Sequence, residues 1–174
     1  GESFPYLFYE GELAYNNPLQ IEISSPDNYE NSITFKVMNI GDRILKHIYI
    51  ICKHYTWGTF KVYFEKLDPQ EQQERPLSIF QVQLQGPEWI FYFGDDVVQT
   101  MVNEGICESE ARSFVREWIP YWCCMFPGIS ARAIYHIPSS TIEEMLPLDI
   151  QVPSGAELTS KRILWALIEN IPLS

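Results

Sequence analysis

Alternation of apolar and polar residues is the dominant pattern in the first half of the chain. Leu19, Ile21 and Ile23 alternate with Gln20 and Glu22, and the same period of two recurs over residues 33–39, 44–52 and 60–64. This alternation predicts strands with one buried face and one wet face, as in antiparallel sheets. Residues 4–9 also have extended character, and turn residues separate the stretches at intervals typical of a β-sandwich.

The pattern changes in the second half of the chain. Polar residues 68–75 indicate a solvated loop, and residues 79–84 indicate a last sandwich strand before the Gly86-Pro87 break. Helical periodicity then predicts helices over residues 95–105 and 106–124. A strand over 131–137, a short helix over 138–146 and two final strands over 148–152 and 162–168 follow.

The helix over residues 106–124 is the most strongly patterned element. A helical period places five apolar residues on one face, which must be buried: Ala111, Phe114, Val115, Trp118 and Trp122. Its start resembles a capping box in which Cys107 replaces the usual Ser or Thr. Pro120 removes a backbone donor, so we expect the helix to kink or end between Trp118 and Trp122.

These elements predict an α+β protein with an N-terminal antiparallel immunoglobulin-like β-sandwich over residues 1–85 and a small C-terminal α/β unit over residues 86–174. The apolar segment at residues 89–93 is predicted to be a strand or extended connection that joins the two regions. We therefore expect the chain to unfold in a single transition.

Composition and charge exclude several classes of function. The 174 residues carry a formal net charge of −11, and no Lys/Arg run exceeds the Lys161-Arg162 pair, so nucleic acid is not an expected partner. No apolar run reaches the ~20 residues of a membrane-spanning helix. No signal peptide opens the chain, although a trimmed leader would leave the same start.

Candidate catalytic residues are few and scattered. His47, His54 and His136 fall on separate elements, which predicts no metal site, and no cofactor motif is present. Cys107, at a helix start, is the best candidate for a reactive thiol, because the helix dipole favours the thiolate, while neighbouring glutamates oppose it. The alternative to a binding module is a hydrolase that uses Glu117, His136 or a cysteine at the junction of the two regions.

Two segments resemble known groups of proteins. Residues 33–53, which contain Val37-Met38-Asn39-Ile40-Gly41-Asp42, are similar to the strand, turn and strand of immunoglobulin-like and fibronectin-like domains. In such a turn, Asn39 and Gly41 are expected because they tolerate positive φ. The resemblance implies a sandwich fold and carries no chemistry.

The second resemblance covers about 45 residues and depends on an ordered set of motifs. It is similar to the C-terminal region of uncharacterised, mostly extracytoplasmic prokaryotic proteins, in which Glu-Ala-Arg, Trp-x-x-x-Trp, Arg-x-x-Tyr-x-x-Pro and Leu-Pro-Leu follow one another. The matching positions here are Glu110-Ala111-Arg112, Trp118 and Trp122, Arg132, Tyr135 and Pro138, and Leu146-Pro147-Leu148. The resemblance implies an extracytoplasmic location and no known activity.

Aromatic residues are the remaining functional signal. Trp57, Trp89, Phe91 and Tyr92 are the predicted binding residues, within a group that also contains Tyr55 and Phe93. Aromatics at this density form either a core between two regions or a surface that binds protein or carbohydrate. We therefore expect a non-enzymatic extracytoplasmic module for protein binding or scaffolding, with a protein or carbohydrate partner.

Overall fold

The computed structural model describes residues 16–24, 32–54, 58–78, 80–82, 88–124, 130–147 and 162–173. The predicted strands at residues 4–9 and 148–152 lie outside these ranges. No helix within them is both long and apolar enough to cross a membrane. The elements are, in order, β1 (Leu19–Ser24), β2 (Ser32–Asn39), β3 (Leu45–His54), β4 (Gly58–Leu67), β5 (Gln72–Ser78), α1 (Trp89–Asn103), α2 (Glu108–Cys124), β6 (Ser130–His136), α3 (Ser139–Met145) and β7 (Trp165–Ile171).

The strands form two sheets in which every ladder is antiparallel. One sheet has three strands in the order β1-β2-β5, and the other has four in the order β4-β3-β6-β7. Helices and antiparallel sheets in one chain confirm the predicted α+β class.

The two sheets enclose an aliphatic core. In β1, Leu19 and Ile23 are buried while Gln20 and Glu22 are exposed, so the alternation in the sequence correctly predicts the inward face. Side chains of both sheets belong to this core, including Phe35 from β2 and Ile50 from β3. We call the side of the four-stranded sheet that contacts this core its inner face.

The opposite, outer face of the four-stranded sheet is covered by α1 and α2. Tyr49, Ile51 and Ile134 on this face form a second core with Phe93 of α1 and Trp122 of α2. All residues of β6 are buried, because the strand is covered on both sides. The described chain is thus arranged in layers: the three-stranded sheet, the four-stranded sheet and the helices.

Helix α1 begins earlier than the sequence analysis predicts. Residues 89–93 form its first turns, so the prediction of a strand or extended connection is wrong. Trp89, Phe93 and Val97 recur at a spacing of four residues and are all buried, and this helical period starts before Asp95. The helix ends as predicted near Gly105, whose φ of 94° allows its N–H to bond Val102 at 2.9 Å.

Helix α2 follows the predicted apolar stripe but continues past Pro120. Ala111 and Trp122 are buried, and Trp118 is half-buried against the same core. The helix extends to Cys124, so the proline does not end it. A proline removes only one N–H bond, and Pro120 is on an exposed side of a helix that is fixed by its packing.

Strand β5 occupies a region predicted to be a loop. Residues 72–78 form an edge strand against β2, and the predicted last sandwich strand at 79–84 is wrong because residues 80–82 are helical. The polar sequence misled the prediction because one side of this strand faces solvent: Gln72, Glu74 and Pro76 are exposed.

Strands from both predicted regions pair in the four-stranded sheet. Ile50 of β3 pairs with Ala133 of β6, and β6 pairs with β7. The boundary predicted between residues 85 and 86 is therefore not a boundary between sheets. The final strand, β7, overlaps the predicted strand at residues 162–168.

The turn between β2 and β3 is held by side-chain bonds. Asn39 and Gly41 have no positive φ, so the expected role of these residues is wrong. The Asn39 amide instead donates to the backbone carbonyls of Arg43, Leu67 and Asp68. Gly41 is required for space, because a Cβ there would lie 2.8 Å from Cβ of Pro18.

Candidate binding groove

The predicted binding residues have different environments. Trp57 lies outside the described residues. Trp89 is buried, and its indole N–H donates to the Thr59 carbonyl at 3.0 Å. Phe91 and Tyr92, in contrast, are 75% and 66% exposed. The first turns of α1 therefore hold the helix to β4 on one side and present two aromatic rings to solvent on the other.

A groove opens where the start of α1 meets the edges of β4 and β5. Its volume is about 330 Å³, and it is lined by Lys61, Val62, Tyr63, Arg75, Leu77, Trp89 and Tyr92. We call this surface the aromatic groove. Two of the predicted binding residues, Trp89 and Tyr92, line it.

The edge of β4 beside the groove is capped by side chains. Carbonyl oxygens of Thr59, Tyr63 and Lys66 accept bonds from Trp89, Arg75 and Gln73, at 3.0, 2.6 and 2.9 Å respectively. An edge whose carbonyls are occupied is a poor template for another strand. The groove is therefore suited to contact by side chains rather than to strand addition.

Two cations give the groove a charge opposite to that of the chain as a whole. Lys61 pairs with Asp96 at 3.0 Å, and its ammonium lies 5.4 Å from the ring centre of Phe93. The Arg75 guanidinium lies 5.0 Å from the ring centre of Phe64 and remains exposed. Both cations stand over aromatic rings, an arrangement that holds a positive charge in place beside apolar surface.

The β-strand side of the groove contains residues that were not predicted from the sequence. Lys61, Tyr63 and Arg75 lie on β4 and β5, far from residue 89 along the chain. Cationic and aromatic residues that are spread over two consecutive strands form no recognisable sequence motif. Only the position of the start of α1 beside the edges of these strands brings the residues together.

The groups proposed for a hydrolase are not brought together. In the described part of the chain, no hydrogen bond or ion pair joins Glu117 to His136, and Glu117 is exposed while His136 is buried. Within the same residues, no group of three or more His, Cys, Asp or Glu side chains is arranged to hold a metal ion.

The cysteines fall into a buried pair and an exposed pair. Burial raises the pKa of Cys52 and of Cys123 to about 12. Cys107 and Cys124 are exposed. Hydrogen bonds from Ser109 lower the pKa of the Cys107 thiol, although desolvation and the charge of Glu110 oppose this effect.

A larger cavity of about 640 Å³ lies among α3 and the turns β2–β3 and β4–β5. Its main charged group is Arg43, which bonds Thr141 at 2.8 Å and Glu144 at 2.5 Å. These bonds fasten α3 to the β2–β3 turn. The arginine thus has a structural role in joining two elements of the fold.

Comparison with known proteins found no matching family model, no similar curated protein and no similar solved structure. The two resemblances drawn from the sequence therefore stay predictions.

Proposed function

We propose that this chain is a non-enzymatic module that binds another protein through the aromatic groove. The observation that carries this proposal is the exposure of Tyr92, 66%, in the wall of a groove of about 330 Å³, with Phe91, 75% exposed, next to it in the chain. Adjacent exposed aromatic rings are rare on a surface that makes no contacts. Tyr and Trp at a pocket, with an arginine near, are the residues that contribute most to protein interfaces.

The chemistry of the groove indicates the partner segment it would accept. Trp89 uses its only donor on Thr59, so the floor offers apolar contact, while Arg75 retains donors beside it. A complementary segment carries one apolar or aromatic side chain that fills the groove and a carboxylate that meets Arg75. The capped edge of β4 favours insertion of that side chain over backbone pairing.

The proposal extends to fold type and location. In immunoglobulin-like sandwiches, strands A, B and E share one sheet and strands C, F and G share the other. The first, second and fifth strands here share one sheet, and the third, sixth and seventh share the other, which supports an immunoglobulin-like sandwich with helices inserted before the sixth strand. The extracytoplasmic location rests on the resemblance over residues 106–148.

A peptide-display selection tests the groove without a known partner. The folded chain is immobilised, a random peptide library is selected on it, and the affinities of enriched peptides are measured against variants. The double variant Phe91→Ala, Tyr92→Ala should weaken binding by about tenfold or more, because truncated aromatic anchors typically cost over 1 kcal/mol each. The matched control is Ile40→Ala, Ile44→Ala, which removes side chains that are 43% and 41% exposed in the β2–β3 turn.

The variants separate the possible results. Peptides that contain an apolar residue near an acid, and that lose affinity only in the aromatic variant, would support the proposal. Equal binding to both double variants would contradict it. Retention of oligosaccharides instead of peptides, abolished by the aromatic variant, would assign the groove to carbohydrate.

A further inference from the structure

Two histidines meet on the outer face of the four-stranded sheet. His47 on β3 and His136 on β6 have ring centres 6.4 Å apart. Nδ1 of His47 lies 3.1 Å from the Tyr63 hydroxyl, and the ring of His136 lies 5.8 Å from the ring of Trp165. These histidines are scattered in the sequence, and only the pairing of β3 with β6 brings them side by side.

Polar atoms in this cluster are left without partners. Nε2 of His136 and Nε1 of Trp165 are buried, and neither has a hydrogen-bond partner among the described residues. Most buried polar side-chain atoms in proteins are paired, so two orphaned nitrogens on neighbouring rings require an explanation. A neutral imidazole tolerates this position, whereas an imidazolium would bring a buried N–H and a charge with no acceptor.

The backbone at His47 is also unusual. Its φ is 51°, and the pairing of β3 with β6 shifts register between Lys46 and Tyr49. A non-glycine residue in the left-handed region is held there by its surroundings. This bulge turns the His47 ring toward Tyr63 and His136.

The neighbouring elements supply charges of both signs. Glu104 at the end of α1 favours protonation of both histidines, and Glu65 on β4 favours protonation of His47. Lys46 on β3 opposes both. The two tyrosines in contact with the cluster, Tyr49 and Tyr63, have raised pKa values and stay neutral. Burial outweighs these charges and lowers the pKa of His47, and it lowers that of His136 to about 4.

We propose that His47, His136 and Trp165 form an acid-sensitive latch that holds the start of β7 against β6 at neutral pH and releases it when the histidines are protonated. His136 and Trp165 are paired in the β6–β7 ladder, at the end where β7 begins. Strand β7 is an edge strand, so opening this end breaks ladder hydrogen bonds with β6 only, and it also separates the Trp165 ring from Trp122 of α2 and Tyr49 of β3. Opening would let a protonated His136 reach water.

The proton enters in two coupled steps. His47 is half-buried and takes the first proton, and its Nδ1–H then donates to the oxygen of Tyr63. His136 takes the second proton next to a cation, so repulsion adds to its burial penalty. The repulsion between the two protonated histidines and the lack of an acceptor for Nε2–H of His136 together drive the release of the start of β7.

The test follows Trp165 and the histidines in the full chain. The fluorescence of Trp165 is obtained as the difference between the wild type and Trp165→Phe. Its quenching by acrylamide is measured from pH 8 to pH 3.5, together with far-ultraviolet circular dichroism. Histidine Cε1–H signals are titrated by NMR over the same range. We expect His136 to titrate near pH 4, and Trp165 to become quenchable in step with it while the circular dichroism signal persists.

Matched variants decide the result. His54→Gln removes the histidine outside the cluster and should change nothing. His136→Gln should abolish the acid-dependent exposure of Trp165, and His47→Gln should move it to higher pH because the neighbouring cation is gone. If Trp165 becomes exposed only with loss of the circular dichroism signal, or at the same pH in His47→Gln as in the wild type, the latch is contradicted, even if His136→Gln does not fold.

Discussion

The two faces of the four-stranded sheet differ in chemistry. Its inner face packs on the other sheet through mainly aliphatic side chains, with Phe35 and Phe60 in edge contact at 6.2 Å. Its outer face packs on the helices through aromatic rings, among which Tyr49 and Phe93 lie 4.8 Å apart. Both faces bury apolar area, but the outer one carries more rings with a polar group, such as Trp122 and His136, whereas the inner one includes Tyr135, whose hydroxyl donates to Asn17. The histidine pair lies on this outer face, and the aromatic groove lies at the edge of the sheet, where the start of α1 meets β4 and β5.

The largest expected effects on stability come from removing a buried ring on either side of the four-stranded sheet. They test whether both faces contribute to the stability of one fold. Phe35→Ala on the inner side and Phe93→Ala on the outer side each remove a fully buried ring, so each should lower the free energy of unfolding by about 3–5 kcal/mol. Urea denaturation measures both. The exposed Phe80→Ala is the control and should stay within about 0.5 kcal/mol. A small loss for Phe93→Ala alone would show that the helical layer contributes little.

A second comparison lies within α2. Trp122→Ala should lower the free energy of unfolding by about 3–5 kcal/mol because the ring is buried. Trp118→Ala should cost less, about 1–3 kcal/mol, because that ring is half-buried at the margin of the core. Equal losses in urea would mean that the helix is rotated relative to the arrangement described here.

Acid should weaken the outer face through His136. Its pKa falls from 6.5 to about 4 in the folded chain, so the unfolded chain takes up the proton first as pH decreases. The contribution of His136 to the free energy of unfolding is present in full above pH 6.5 and is lost as pH falls toward 4. It amounts to about 3 kcal/mol. Urea midpoints at a series of pH values, compared with those of His136→Gln, measure this contribution. A pH dependence that is the same in both proteins would contradict it.

The smallest expected effects concern the cysteines, whose reactivity reports on the two faces of the sheet. Cys52 belongs to the inner core and Cys123 to the outer one, and both are buried. Because one sheet serves both cores, both thiols should become reactive toward a maleimide at the same urea concentration. Cys107 and Cys124 should react without urea, and the lowered pKa of Cys107 should let it react at a lower pH than an ordinary thiol. Mass spectrometry of labelled peptides reads all four sites, and Cys123 reacting well before Cys52 would show that the helices open separately.

The sequence by itself determined the local elements of this protein. Alternation at Leu19 to Ile23 and the helical spacing from Ala111 to Trp122 identify strands and a helix, because each periodicity places the apolar residues on one side of an element. Residues 89–93 were misassigned, since a short apolar run fits a strand as well as a helix. Strand β5 was missed because its outward residues are polar.

Only the tertiary structure decided which elements meet. The pairing of β3 with β6 joins residues some 80 positions apart along the chain, and it brings His47 beside His136. The position of the start of α1 beside the edges of β4 and β5 likewise brings Tyr63 and Arg75 to Tyr92. Such long-range contacts depend on the simultaneous burial of two faces of one sheet, and no local pattern in the sequence encodes that choice.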